Sequence, residues 1–295
     1  MDKRFTIVFS ATKERQLLRE AIEQYGISKR ALTAIKFNGG EISVNGVEQN
    51  VRYPLSVGDT VTIKFPIEEA SEGLIPERGK LSVIYEDEYV LVINKPPFMS
   101  TIPSREHPTG SVANVVLKHL LESDTLSTAH IVTRLDRDTS GLMCIAKHRH
   151  IHHIMSEQQK KGLVSREYEA LAYGKVETQS IIAPIGRKET SIIEREVRED
   201  GQFAHTDVRV IRVLGEDVDA ISHVRLQLHT GRTHQIRVHM SYLGHPLLGD
   251  ELYGGERNVI ARQALHCAYL QFIHPISQQL MTFECELPND MRTLL

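Results

Sequence analysis

Along the first sixty-five residues the apolar positions recur first at helical and then at strand spacing. Leu17, Leu18, Ala21, Ile22 and Tyr25 share one helical face, and Gly26 stops the run where a C-terminal cap is expected. Ser28 is placed to cap a second helix, with Leu32 and Ile35 inward and Lys29, Arg30 and Lys36 on or near the opposite side. After Gly39-Gly40, Ile42 and Val44 alternate into an Asn45-Gly46 turn, and Gly58-Asp59 precedes the alternating Val61 and Ile63. The predicted order is helix, helix, small hairpin. Beyond residue 80 the pattern predicts two strands around the acidic turn Glu86-Asp87-Glu88, ended by Asn94-Lys95-Pro96-Pro97. A helix is predicted over 112–121 and further strands over 142–146, 167–172, 208–213, 224–228 and 281–285. Helix and strand mix without a βαβ rhythm, which points to an α+β fold with a mixed, largely antiparallel sheet.

Charge divides the chain in the same place. Residues 1–65 carry ten Lys or Arg against seven Asp or Glu, a balance of +3; residues 66–80 give −2 and residues 81–295 give −4. The middle stretch, PIEEASEGLIPERGK, has the composition of an exposed connector. We therefore expect a small α+β domain at 1–66, a linker at 67–80 and a large domain at 81–295. With a net charge of −3 overall, contact with a polyanion must come from local basic surfaces, and the cations of the second helix are free for phosphates. Apolar residues at 41% and charged residues at 25% are ordinary for a globular chain. No apolar run nears the ~20 residues of a membrane span, and residues 1–10 are too polar for a secretory signal, so a cytoplasmic protein without membrane contact is expected. Cys144, Cys267 and Cys285 lack paired spacing, which argues against zinc or disulfides.

Two stretches concentrate chemistry. Residues 134–141, RLDRDTSG, hold two carboxylates, two guanidiniums and two hydroxyls in a turn-forming loop. Residues 221–249 hold three arginines, five histidines and no acid. A helix beginning near Gln235 would add a positive terminus to such a segment and place it beside phosphates. These stretches supply Arg134, Arg137 and Thr139, and His234, Gln235 and Arg237, as candidate RNA contacts alongside Lys29, Arg30 and Lys36. No carboxylate or thiolate accompanies these histidines at ligand spacing, nor the run His148, His150, His152 and His153, so metal binding is not expected and the run reads as solvated or facing RNA.

Two resemblances sharpen the reading. Ser43-Val44-Asn45-Gly46 and Val57-Gly58-Asp59 match the small S-four-like RNA-binding module, though its usual Arg-Leu-Asp opening is replaced by KERQL at 13–17. The RLDRDTSG at 134–141, with YEDEYVLVINKP at 85–96, REYEALAYG at 166–174, PIGR at 184–187 and the stretches 228–254 and 265–275, resembles the ribosomal-large-subunit (Rlu) type of pseudouridine synthase over nearly the whole second domain. That resemblance implies a pseudouridine synthase catalytic domain with Asp136 as the essential carboxylate, Tyr168 stacking on the target base and Arg232 pairing with the aspartate. Isomerising uridine breaks a glycosidic bond, turns the base and rejoins the sugar to a ring carbon without redox change, so no cofactor and no metal is demanded. Two departures stand out: Thr133 where the family has His before Arg-Leu-Asp, and Phe98 where it has Gly after Lys-Pro-x.

The expectation is an isomerase acting as a monomer on structured RNA, with large-subunit rRNA first and tRNA second. A non-catalytic ribosome-assembly factor and a nucleoside hydrolase using the same acid are the competing readings.

Overall fold

The computed structural model describes residues 4–69, 73–123, 128–216 and 219–295. Its N-terminal unit comprises β1 (Thr6–Ser10), β2 (Gln16–Leu17), α1 (Leu18–Glu23), α2 (Lys29–Phe37), β3 (Glu41–Val44), β4 (Val47–Glu48), β5 (Pro54–Leu55) and β6 (Thr60–Lys64). Ser28 caps α2 as expected, its Oγ accepting from the Ala31 amide at 3.2 Å. Lys29, Arg30 and Lys36 are exposed while Ile35 is buried. β1 is an addition to the expected order: Ile7 and Phe9 alternate inward along it, and it lies antiparallel to β6 in a four-stranded sheet of order β1-β6-β3-β4.

The larger part contains β7 (Val83–Glu86), β8 (Val90–Lys95), α3 (Val112–Glu122), β9 (His130–Ile131), β10 (Ser140–Ala146), α4 (Arg149–Lys160) and β11 (Ser165–Tyr173). It continues through β12 (Gln179–Ile182), β13 (Ile185–Arg187), β14 (Arg195–Val197), β15 (His205–Leu214), β16 (Ile221–Leu228), α5 (Gln235–Tyr242), β17 (Leu265–Ile273), β18 (Leu280–Glu284) and α6 (Asn289–Arg292). Eight strands run in the order β12-β15-β16-β11-β17-β10-β8-β7, with β9 on β10 and β18 on β17. All of these pairs are antiparallel except β10 with β17, so the sheet is mixed and largely antiparallel as expected. β10 is buried along its whole length, which is why it reads as a continuous apolar run rather than an alternation.

At the parallel junction Gly141 lies opposite Cys267 with φ +115°, and a Cβ built there would stand 2.3 Å from the Cys267 carbonyl oxygen. Only glycine fits where the two backbones approach this closely. The loop at residues 133–139 therefore enters the sheet at a fixed point.

The histidine run at 148–153 is not a solvated segment. His148 precedes α4 and is 6% exposed, and His150 in its first turn is 4% exposed. Phe5 stacks on His148 at 4.2 Å between centroids, and Phe65 on His150 at 5.0 Å. The flat apolar faces of the imidazoles join the two parts of the molecule, and their partners lie far away in sequence. Glu68 adds a polar tie, accepting from His130 and, at 2.8 Å, from the Arg149 amide. Of the expected linker, residues 70–72 lie outside the described residues. Beyond them the Ile75 carbonyl accepts from Asn114 Nδ2, and the Glu77 carboxylate accepts from the Gly110 amide, so the connector is tethered to the start of α3. Among the described residues no helix is long and apolar enough to cross a membrane.

Candidate active site

The loop ahead of β10 is held from below by buried cations. Lys95 Nζ, at the end of β8, donates to the carbonyls of Pro96, Met99 and Arg137 at 2.8 to 2.9 Å, using all three ammonium protons. Burial brings its pKa down to about 7, against the pull of Asp138 and Asp136. Arg262, fully buried, donates to the Asp138 carbonyl and pairs through Nε with Asp290 at 2.6 Å. Thr101 Oγ1 donates to the Leu135 carbonyl at 2.6 Å. Thr133, in the place where the family has His, is 1% exposed, and its Oγ1 accepts from the Cys144 amide at 2.9 Å. Phe98, in place of the family's Gly, keeps a left-handed backbone at φ +63° with its ring exposed.

This frame presents Asp136, whose side chain is 30% exposed, to the start of α5. The arginine that meets it is Arg237. Its Nη1 donates to Asp136 Oδ2 at 3.1 Å, while Nε and Nη2 make a bidentate pair with Asp250 at 2.7 Å each. Asp250 is 1% exposed and Arg237 is 7% exposed. Burial disfavours the Arg237 charge, but the hydrogen bonds and charge of Asp250, together with Asp136, outweigh it and raise its pKa. The guanidinium also lies over the Tyr253 ring, 4.9 Å from its centroid. Burial pushes the Tyr253 phenol up to about 12.

Arg232, expected to be the partner of Asp136, takes another role. Its Nε donates to the Phe203 carbonyl at 2.9 Å, and its backbone amide donates to Gln235 Oε1. The cause is local geometry: Arg232 precedes α5, whereas Arg237 sits inside its first turn with its side chain buried. Gln235 and Arg237, expected as RNA contacts, are also placed otherwise. Gln235 is 2% exposed and spends its amide on Thr230, the Arg232 amide, the His205 carbonyl and Thr206. Arg237 is consumed by two carboxylates.

His234 has the left-handed backbone (φ 57°) that non-glycine residues rarely adopt. Its Nδ1 meets the Tyr253 hydroxyl at 2.8 Å, and its Nε2 stands 3.9 Å from Asp136 Oδ2. Burial lowers its pKa, with Asp136 pulling the other way.

Asp136 opens into a cavity of about 1090 Å³ that is also lined by Arg134, Arg137, Tyr168, Arg232 and His234. Pockets for compact ligands span roughly 300–1,000 Å³, so this one is at the upper end of that range. Tyr168, in β11, is 4% exposed and belongs to the apolar core as well as to the cavity wall. Arg134 is exposed. Arg137 is 60% exposed along its side chain and paired with Asp138. Thr139 is 2% exposed and accepts from Gln263. The second helix cations, Lys29, Arg30 and Lys36, are not part of the cavity lining. Sequence reasoning missed Lys95, Asp250, Tyr253 and Arg262. The one available signal was Asp250 itself, the first acid after the long acid-free stretch at 221–249.

Comparison with known proteins identifies the family. The family model described as RNA pseudouridylate synthase matches residues 89–242. A Bacillus subtilis (strain 168) protein named an uncharacterized RNA pseudouridine synthase, YjbO, is 53% identical over 280 residues, covering 94% of this chain and 98% of that protein. Ribosomal large subunit pseudouridine synthase D of Pseudomonas aeruginosa is 36% identical, over 87% of this chain and 83% of its own length. Among solved structures, Human RNA Pseudouridylate Synthase Domain Containing 1 superposes with a TM-score of 0.58 at 28% identity, over 71% of this chain and 86% of that one. The chain belongs to the RNA pseudouridylate synthase family, and its chemistry is the isomerisation of uridine to pseudouridine in RNA.

Proposed function

We propose that Asp136 is the catalytic carboxylate, that Arg237 aims it, and that large-subunit rRNA is the substrate. The observation that carries the site reading is an acid at the cavity surface held by a guanidinium that a buried second acid fixes in place. The reaction breaks the bond from ring nitrogen to ribose, turns the uracil, forms a bond from ribose to the ring carbon, releases that carbon's proton and protonates the freed nitrogen. Attack on the sugar and removal of a ribose proton both need a carboxylate directed at the ribose with little water nearby. Arg237 supplies the direction through a charge-assisted hydrogen bond. Tyr168 offers a face to the everted base, and stacking of this kind returns ~1 to 3 kcal/mol.

The rRNA assignment is supported by relatives named for the large ribosomal subunit, such as that of Pseudomonas aeruginosa. The exposed row Lys29, Arg30 and Lys36 supports phosphate contact by the S-four-like unit. The same relatives, named for the ribosome, support a cytoplasmic location.

The test is tritium release from RNA labelled at the uracil ring carbon, with wild type and Asp136→Asn. Loss of release in a folded variant is expected, and retained release defeats the assignment. Free uracil among the products would indicate hydrolysis instead, and RNA binding with no release from wild type an assembly factor. Mapping pseudouridines in RNA from a strain lacking the protein decides between rRNA and tRNA.

A further inference from the structure

We propose that His205, Asp207 and His229 form a binding site for one divalent transition-metal ion at the rim of the catalytic cavity. His205 and Asp207 are two apart on β15 and so share a face of the sheet. His229, just past the end of β16, lies across from them, its amide donating to the His205 carbonyl. The three side chains converge: one ligand atom from each lies within 4.8 Å of the other two. His229 Nε2 is 2.6 Å from Asp207 Oδ2, and His205 Nε2 is 3.2 Å from Asp207 Oδ1. The two imidazoles stack with centroids 4.1 Å apart.

This donor set is two imidazoles and one carboxylate, which suits zinc, cobalt, nickel or iron and not the harder magnesium or calcium. The spacing suits it as well. With metal bonds of about 2.0 to 2.2 Å, tetrahedral ligands stand about 3.3 Å from one another. Shifts of under an ångström along three side chains would bring these atoms to that spacing. Three protein ligands leave a coordination position for water or an RNA oxygen, the pattern of an open site rather than a closed structural one. The carboxylate is already oriented by a second contact, since Ser180 Oγ on the neighbouring strand donates to Asp207 Oδ1. Such supporting bonds hold metal ligands in place.

His205 and Asp207 are neighbours in sequence, but the third ligand, His229, arrives from the adjacent strand, so the chain order alone does not announce the site. His229 also lines the cavity that Asp136 opens into. From His229 the chain runs straight into Thr230, whose Oγ1 accepts from the His205 amide and donates to Gln235, and on to Arg232. A metal here would therefore clamp the loop that carries Arg232 against the end of β15. The uridine chemistry makes no use of it. The ion is a further ligand of the protein, at the cavity edge that His229 lines.

The test uses the full chain, freed of metal by chelator and dialysed into a non-coordinating buffer, with zinc chloride and cobalt chloride as the probes. Competition against a chromophoric chelator is expected to give one zinc per chain. Cobalt is expected to produce visible ligand-field bands of a low-coordinate nitrogen and oxygen site. His205→Ala, His229→Ala and Asp207→Asn should each weaken zinc binding by at least about 100-fold, the upper end of the loss from removing a mere supporting residue, and the cobalt bands should fade in the same variants. All three residues lie at the surface end of the sheet, and unchanged far-ultraviolet circular dichroism establishes that each variant is folded. His153→Ala, at a histidine remote from the cluster, should bind as wild type does. Absence of stoichiometric binding to wild type overturns the proposal, as does binding that survives in the His205→Ala, His229→Ala double variant.

Discussion

His150 gives a quantitative handle on how the two parts of the molecule are joined. It is 4% exposed, packed on Phe65, and among the described residues neither ring nitrogen has a well-formed hydrogen bond. Burial lowers its pKa to about 4, helped by His153 and His148 and only partly offset by the backbone of Tyr25. The sign follows from linkage. Above pH 6.5 the ring is neutral in both states and contributes no pH dependence. Between 6.5 and 4 the unfolded chain takes up a proton that the folded chain refuses, so stability falls as pH falls. At about 1.4 kcal/mol per unit, the loss from this one ring is about 2 kcal/mol at pH 5 and about 3 kcal/mol at pH 4. His150→Leu removes the titrating group and fills the site with apolar volume. At pH 7.5 we expect the variant to match wild type within about 1 kcal/mol or to exceed it, because a buried polar ring without good partners is replaced. At pH 5 the variant should be about 2 kcal/mol the more stable of the two, beyond any difference at pH 7.5. Urea unfolding of both proteins at pH 7.5, 6.5, 5.5 and 5.0 measures this. His148 and His266 are depressed by burial in the same way, so the informative quantity is the gap between the two curves. Parallel curves across that range would refute a neutral, buried His150.

Three further outcomes are expected. Arg237→Lys keeps a charge but cannot hold Asp250 bidentately while reaching Asp136, so kcat should drop at least ~100-fold, as for a group that orients the reacting acid; Arg232→Ala should instead raise KM for RNA with a smaller change in kcat, and steady-state kinetics on both variants separates them. Gly141→Ala should cost at least ~3 kcal/mol or prevent folding, because its Cβ would stand 2.3 Å from the Cys267 carbonyl oxygen in a backbone conformation L-residues avoid; expression and thermal melting report it. Thr133→Val, nearly isosteric, leaves the buried Cys144 amide without its acceptor and should cost ~1 to 3 kcal/mol of unfolding free energy with the reaction intact.

Much of the architecture was legible from patterning because local signals and the fold agree. Ser28 announced the start of α2, the acidic turn at 86–88 separated β7 from β8, and the apolar run at 142–146 lies within β10. What escaped depends on partners remote in sequence. β17 pairs with β10 in parallel and with β11 and β18, a buried central strand that was not predicted because His266 and Gln271 interrupt its apolar positions. The histidines at 148 and 150 looked polar by type, yet their environment is the pair Phe5 and Phe65. The acid at 136 was legible from its motif, whereas its cation was not: residues 232 and 237 are both arginines of one basic stretch, and only the turn into α5 decides which reaches the carboxylate.

The choice between those arginines bears on what Asp136 can do. An arginine pairing bidentately with Asp136 alone would occupy both carboxylate oxygens with strong donors and quench it as a nucleophile or base. Arg237 commits two of its donors to Asp250 and gives Asp136 a single one, at 3.1 Å and to Oδ2. Counting formal charges, two carboxylates share one guanidinium, so the group of three keeps one negative charge, and it lies at the cavity surface because Asp250 is the buried member. Asp250 cannot be left unpaired in that environment without a cost of several kcal/mol, and this pins the guanidinium whether or not substrate is bound. The proposed catalytic acid is thus aimed by a group whose own position does not depend on it. That arrangement explains why a half-exposed carboxylate is seated on a buried ion pair instead of forming an ion pair of its own.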